Sequence, residues 1–145
     1  MILRDKIKYW YPVFLWIVIV FWMSTNMFSA QNTYMFFEPV LRFFVPTISH
    51  KEIIFFHIIL RKLAHLTEYF ISGFLLFRAF YKGSDKKREW LWAAASLLVV
   101  AIIAAGDEFH QSFVLTRTAS LVDVGIDIFG GVIAQGVSIL LFQRK

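Results

Sequence analysis

Apolar residues along the chain fall into four long runs separated by short polar or charged segments. Each run approaches the roughly 20 residues that a helix needs to cross a bilayer. The pattern predicts an all-α single domain, residues 1–145, folded as a multi-pass transmembrane four-helix bundle with a short interfacial helix after the first span. The predicted elements are a first span at residues 9–28, an interfacial helix within 31–49, a second helix at 51–81 that is capped by Ser49, a third span at 90–105 and a fourth at 121–142.

The first apolar run has a rival interpretation as a cleaved signal peptide. However, it contains Trp10, Trp16 and Trp22, and the only candidate cleavage site places the bulky Phe28 where a small residue is needed. We therefore interpret the run as an uncleaved span. For the following stretch, 31–49, a helix lying on the bilayer surface and a structural lid explain the spacing of apolar residues equally well.

Composition supports the membrane interpretation. Hydrophobic residues make up 59% of the chain, 17 residues are phenylalanine and the mean hydropathy is +0.64, whereas soluble domains are about 45–50% apolar. The chain contains no cysteine, which excludes disulfides, thiolate catalysis and cysteine-ligated metal sites.

The formal net charge of +5 comes from basic residues at the ends of the apolar runs, which argues for membrane topology and against nucleic acid as a partner. Three basic stretches, at the N-terminus, at 82–88 and at the C-terminus, alternate correctly for four spans. The positive-inside rule therefore places both termini in the cytoplasm. The costly polar positions described next then share the outer side.

One stretch, residues 61–77, is apolar enough to enter a membrane yet carries several polar groups in its first half. At helical pitch these groups lie within an arc of about 120°. Ionisable groups inside a membrane cost roughly 2.5–3.5 kcal/mol each on insertion scales, so this stripe must face protein or water. Its members are Arg61, Lys62, His65, Glu68 and Tyr69.

Two further polar groups are predicted to meet this stripe. Asp107, Glu108 and Gln111 would share one face if the third helix continues that far. On the fourth span, Asp123 and Asp127 precede a face of small residues formed by Gly130 and Ala134, which allows close helix approach. The connection at 114–120 adds Arg117.

These residues suggest a catalytic set and a binding set. His65 would be a general acid or base oriented by Glu68, and Asp107, Glu108 and Asp123 would bind hydroxyls, a sugar or a cation. The binding residues would be Arg61, Lys62 and Arg117, which suit a phosphate or carboxylate, with Tyr69, Gln111 and Asp127.

Other interpretations of this cluster remain open. It could be a structural ion-pair network. The depth of Asp127 favours a protonated side chain. A divalent cation is weakly indicated, because no HExxH pattern accompanies His65, so no metal ligand or cofactor is assigned. No P-loop, Rossmann fingerprint or Ser-His-Asp order is present.

Two segments in order, RKLAHLTEYFISGFL and DEFHQSFVLTRTASLVDVGIDIFGG, resemble the VanZ-like family of small bacterial membrane proteins. The family pattern is carried by Lys62, His65, Glu68, Tyr69, Asp107, Glu108, Gln111, Arg117, Asp123 and Gly130. Family members often have Asn in the place of Asp127, which argues against an ionised role there. The resemblance implies a multi-pass inner-membrane protein, and the founding member is associated with resistance to teicoplanin-type glycopeptides.

Two functional hypotheses follow. The first is an enzyme that acts at the outer leaflet on a lipid-linked or phosphorylated envelope substrate. The second is a non-catalytic protein that binds a lipid headgroup or a lipoglycopeptide. An ion-coupled transporter is less favoured, because four spans without an internal repeat do not match transporter architecture. The predicted partners are membrane lipid and a lipid-linked envelope precursor or lipoglycopeptide, and the sequence does not determine an oligomeric state.

Overall fold

The computed structural model describes residues 3–84, 88–113 and 120–143, without the side chains of 3–6 and 143. Over these residues the fold is all-helical, as predicted, and contains no strand. Five α-helices follow one another in the described part of the chain. They are α1 (Leu3–Met23), α2 (Ala30–Phe44), α3 (His50–Lys82), α4 (Glu89–Gln111) and α5 (Leu121–Gln143).

The first helix ends earlier than the apolar run predicts. Helix α1 stops at Met23, and a single 3₁₀ turn at Asn26–Phe28 leads into α2. The Thr25 hydroxyl donates to the Trp22 carbonyl at 2.7 Å, and such local bonds compete with helix continuation. Ser29 then caps α2 by accepting the Asn32 backbone N–H at 3.3 Å. The predicted first span at 9–28 was therefore wrong at its end.

Helix α3 begins where the sequence predicts a cap. Ser49 accepts the Glu52 backbone N–H at 3.3 Å, and the Glu52 carboxylate accepts the Ser49 backbone N–H at 2.9 Å, which together form a capping box. The helix then runs 33 residues, about 50 Å at 1.5 Å per residue. It therefore extends well beyond the ~30 Å hydrocarbon core of a bilayer.

Helix α3 is the centre of the fold. Helices α3, α4 and α5 pack against one another, while α1 lies on one side of α3 and α2 packs on α3 as well. The closest approach joins α3 to α5. A Cβ added to Gly130 would lie 2.4 Å from the Leu66 carbonyl oxygen, and one added to Gly73 would lie 3.0 Å from the Ala134 Cβ. The prediction that Gly130 and Ala134 permit close packing is confirmed.

Aromatic contacts and one indole hydrogen bond hold α1 against α3. The Trp16 indole N–H is 3.0 Å from Ser72 Oγ and 3.2 Å from the Glu68 carbonyl oxygen. Farther toward the N-terminus, Trp10 packs edge-on against Phe80 with ring centroids 5.1 Å apart. These contacts fix the rotation of α1 relative to the polar stripe of α3.

Two of the predicted spans are long and apolar enough to cross a membrane. They are Glu89–Gln111 in α4 and Leu121–Phe142 in α5. The apolar part of α1 is the shorter segment Ile7–Met23. Helix α4 continues past the predicted end at residue 105, so Asp107, Glu108 and Gln111 are helical.

Candidate functional site

The polar stripe of α3 faces α5 through two pairs of side chains. Lys62 Nζ is 3.0 Å from Asp123 Oδ1, and His65 Nδ1 is 3.2 Å from Asp127 Oδ1. The Asp127 side chain is fully buried, whereas the Lys62 side chain is 44% exposed. The close packing at Gly130 allows both pairs to form, since it brings the two helix backbones near each other.

The carboxylate beside His65 Nδ1 belongs to Asp127 of α5. The sequence had suggested Glu68 for this orienting role. An ionised Asp127 would accept a hydrogen bond from Nδ1–H and leave Nε2 as a proton acceptor, whereas the protonated Asp127 that the sequence favours would donate to Nδ1 and leave Nε2–H as a proton donor. Nε2 has no hydrogen-bond partner among the residues described. A histidine oriented at one nitrogen and open at the other has the geometry of a general acid or base.

The end of α4 contributes three buried polar side chains. Gln111 Nε2 donates to Asp107 Oδ2 at 2.8 Å, and the Ser120 backbone N–H donates to Glu108 Oε2 at 2.7 Å. Glu108 thereby accepts a hydrogen bond from the backbone that leads into α5. Asp107 Oδ1 is buried and has no partner in the described part of the chain. It is available to accept a hydrogen bond from a ligand.

A cavity of about 170 Å³ lies where α1, α2, α3 and α4 meet. Five of the predicted site residues line it, and they are Arg61, His65, Glu68, Asp107 and Gln111. The predicted residues Lys62, Tyr69, Glu108, Asp123 and Asp127 lie outside its lining. Arg117 lies outside the described residues. The structure therefore gathers half of the described site residues in the cavity and places Lys62, Asp123 and Asp127 in pairs beside it.

Arg61 is the cationic residue in this lining. Its Nη1 atom donates to the Phe28 carbonyl oxygen at 3.1 Å. Over residues 3–84, 88–113 and 120–143 it makes no ion pair with a carboxylate. A half-buried guanidinium bonded only to a neutral carbonyl keeps most of its five N–H donors for an anion.

The family model for VanZ/LLP1 matches residues 9–142, which include both segments that carry the resemblance. The chain belongs to the VanZ/LLP1 family. No curated protein and no solved structure gives a significant match to it. Membership in VanZ/LLP1 and the two apolar helices together support a membrane protein.

The cavity of this VanZ/LLP1 protein is also lined by residues that were not selected from the sequence. Ser24 is 3% exposed, and its hydroxyl has no partner in the described chain. His57 is bonded to the Thr33 hydroxyl at 3.0 Å, and Phe28 and Phe37 add apolar surface. Ser24, Phe28 and Phe37 reach the cavity only through the break after α1 and the packing of α2 on α3, whereas His57 lies on α3 one turn before Arg61.

The described residues of this VanZ/LLP1 chain do not form a ready metal-binding site. Among the residues described, no three histidine, aspartate or glutamate side chains lie close enough to hold an ion. Glu108 is bonded to Ser120, and Asp123 is paired with Lys62. The carboxylates of Glu108 on α4 and Asp123 on α5 are therefore both engaged with other protein groups.

Beyond the cavity, polar contacts order the corner between α2 and α3. Tyr34 Oη is 3.0 Å from His50 Nδ1, and Glu38 is paired with Arg42 at 2.9 Å. The hydroxyl and backbone N–H of Ser49 both donate to Glu52, and these bonds hold the pKa of that carboxyl below its usual range. The corner is therefore sensitive to acid.

Proposed function

We propose that this VanZ/LLP1 protein crosses the bacterial inner membrane with α1, α3, α4 and α5, and acts at the outer leaflet on an anionic, hydroxyl-bearing amphiphile. The headgroup occupies the cavity, where His65 serves as general acid or base. The single observation that carries the proposal is Arg61, a half-buried cation without a carboxylate partner in the described chain, in the same cavity as His65.

The membrane arrangement is supported by surface character. Large apolar side chains point outward from α1, α4 and α5, among them Phe14, Leu98, Ile102, Phe129 and Leu140. Exposed apolar surface on this scale is typical of contact with lipid. Lys82 at the end of α3 and Arg88 before α4 lie at the opposite end of these helices from the cavity, and the positive-inside rule puts this end in the cytoplasm.

The headgroup chemistry follows from the cavity lining. Arg61 offers N–H donors to a phosphate or carboxylate. Asp107 Oδ1 and the Ser24 hydroxyl are buried and have no partner in the described residues. Leaving such groups unpaired costs about 1–3 kcal/mol each. A ligand with hydroxyl groups beside its anionic group would satisfy both side chains.

The chemical step is assigned to the His65–Asp127 pair. Asp127 orients the ring through Nδ1, and Nε2 is left to exchange a proton with the bound headgroup or with a water molecule. General acid–base catalysis of this kind contributes about 10²–10⁴-fold in rate. Glu68 also lines the cavity and can contact the headgroup.

Substitution of His65 separates catalysis from binding. The His65→Gln variant, in nanodiscs with bacterial lipid extract, is expected to lose turnover by at least about 10²-fold and to bind dodecyl phosphate as the wild type does. Lipid mass spectrometry would measure the anionic lipid consumed. Arg61→Gln is expected to weaken dodecyl phosphate binding about 10–100-fold, from the roughly 1.5–3 kcal/mol of a charged hydrogen bond.

A second candidate, non-catalytic binding of a lipid headgroup or lipoglycopeptide, is favoured by one observation. No hydroxyl in the described chain is hydrogen-bonded to His65, so the cavity presents no activated protein nucleophile. If no lipid is consumed by the wild type, or if binding and turnover fall together in His65→Gln, the enzymatic assignment is refuted. Binding of dodecyl phosphate by the wild type would then support this second candidate.

A further inference from the structure

We infer that the alkyl chain of the bound amphiphile leaves the cavity sideways, between α1 and α3, and lies in an apolar groove on the membrane-facing side of these helices. The inference rests on the proposed function, because it takes the headgroup to be held at Arg61. It specifies the substrate class as a membrane amphiphile whose chain and headgroup are both bound by the protein.

A second space adjoins the cavity and shares part of its wall. This groove has a volume of about 330 Å³ and runs along α1 and α3. Met23, Leu60, Ala64 and Glu68 line both spaces. Because the same side chains border the two volumes, the two spaces lie next to each other on one side of α3.

The surface of the groove suits a hydrocarbon chain. Its own lining includes Trp16, Leu63 and Ile71. Thr67 is also present, but its hydroxyl donates to the Leu63 carbonyl oxygen at 2.8 Å, so its hydrogen is already used. Glu68 lines both spaces and therefore lies at the boundary with the cavity, where a headgroup would lie.

The groove has the length of one membrane leaflet. From Leu60 to Ile71 the helix rises about 16 Å at 1.5 Å per residue, close to half of the ~30 Å hydrocarbon core. Leu60 and Leu63 are also 50% and 54% exposed, which makes the groove continuous with the lipid-facing surface of α3. A chain in this groove would stay parallel to the neighbouring lipid chains.

Two local features favour an opening between cavity and groove. Ala64 is exposed and too small to close it, and α1 ends at Met23, so no further turn of α1 covers α3 above that point. Below the opening, the Trp16 N–H bonds to Ser72 and to the Glu68 carbonyl hold α1 in place. The gap is therefore a built feature of the helix packing.

Photo-crosslinking in nanodiscs tests the inference directly. The probe is dodecyl phosphate with a diazirine on its alkyl chain, and dodecanol with the same diazirine reports background labelling by a neutral chain. In the wild type, the phosphate probe is expected to label groove residues such as Trp16 and Ile71 at least about tenfold more than the outward residues Leu98 and Ile102. The dodecanol probe should label both sets to a similar extent.

A bulky substitution at the boundary between cavity and groove should keep the alkyl chain out of the groove. Ala64→Phe is expected to reduce groove labelling at least about tenfold, and circular dichroism reports whether the variant is folded. Ala94→Phe is the matched control, an exposed alanine on α4 that lines neither space, and it should change neither readout. If Ala64→Phe fails to fold, the wild-type labelling pattern alone decides.

The outcomes distinguish the inference from the proposed function. If Arg61→Gln leaves phosphate binding unchanged, the proposed function is overturned and the inference with it. If phosphate binding depends on Arg61 but the phosphate probe labels α3 and α4 equally, only the inference is overturned. Undiminished groove labelling in a folded Ala64→Phe protein would overturn it as well.

Discussion

Replacing Gly130 with alanine tests whether the contact between α3 and α5 builds the site. The new Cβ would lie 2.4 Å from the Leu66 carbonyl oxygen and 3.2 Å from the Phe70 backbone nitrogen. Both neighbours are backbone atoms of α3, so no side chain can rotate to relieve the clash. The first distance is about 1 Å shorter than ordinary van der Waals contact, and α3 must withdraw from α5 by a distance of that order.

The energetic cost can be isolated with a control on the same helix. A Cβ added to Gly136 would meet nothing within 4 Å, so Gly136→Ala changes only the helix propensity, which favours alanine by about 1 kcal/mol. Gly130→Ala receives the same benefit and adds an overpacking cost of about 1–3 kcal/mol. The variant is therefore expected to be less stable than Gly136→Ala by about 1–3 kcal/mol.

The same displacement should weaken the site. Lys62–Asp123 at 3.0 Å and His65–Asp127 at 3.2 Å both join α3 to α5. A withdrawal of about 1 Å would stretch each to roughly 4 Å, beyond the usual hydrogen-bond range. The assays are the free energy of unfolding from SDS titration in mixed micelles and the turnover of anionic lipid, which the proposed function assigns to the His65–Asp127 pair. Equal stability of the two alanine variants, with wild-type turnover in both, would refute this reasoning.

Three further predictions concern contacts outside that packing point. Trp16→Phe removes the indole N–H that bonds Ser72 and should lower the free energy of unfolding by about 1 kcal/mol, measured by the same titration; an unchanged value would contradict a role in holding α1. A double-mutant cycle of Lys62→Met and Asp123→Asn should give a coupling below about 1 kcal/mol, because Lys62 is 44% exposed; a coupling of several kcal/mol would show a buried pair. The pKa of Glu52 is lowered in the folded protein, so its capping contribution is present above the unfolded pKa of about 4.3 and is lost as the pH falls through the folded value. The protection factors of the amides at the start of α3, which are corrected for the intrinsic pH dependence of exchange, should therefore fall in acid in the wild type, and Glu52→Ala should show low protection factors at all pH values.

Much of the fold was predictable because it depends on local properties. The helical spacing and the apolar runs identified the helices, and Ser49 marked the start of α3. The stripe on α3 was also predicted from angle alone, since side chains on one helix keep fixed angular relations. The end of α1 was not predicted, because the Thr25 hydrogen bond to Trp22 competes with an otherwise apolar run.

The composition of the site was predicted only in part. Arg61, His65 and Asp107 were selected from polar residues in apolar surroundings, and they line the cavity. Ser24 was not selected, since it enters the cavity through the turn after α1, and His57 was not selected although it lies on α3 one turn before Arg61. Polarity indicates which side chains need a partner but does not identify the partner.

From its sequence alone, this chain is an apolar, helical VanZ/LLP1 protein with a row of ionisable groups on one helix, because composition, periodicity and motif order are properties of the linear chain. The tertiary structure alone decided that Asp127 meets His65, that Glu108 bonds to Ser120, and that Arg61 lines the cavity without a carboxylate partner in the described residues. The physical reason is that these relations depend on the distance and rotation between helices. Those are determined by the backbone contact at Gly130 and by the point at which α1 ends.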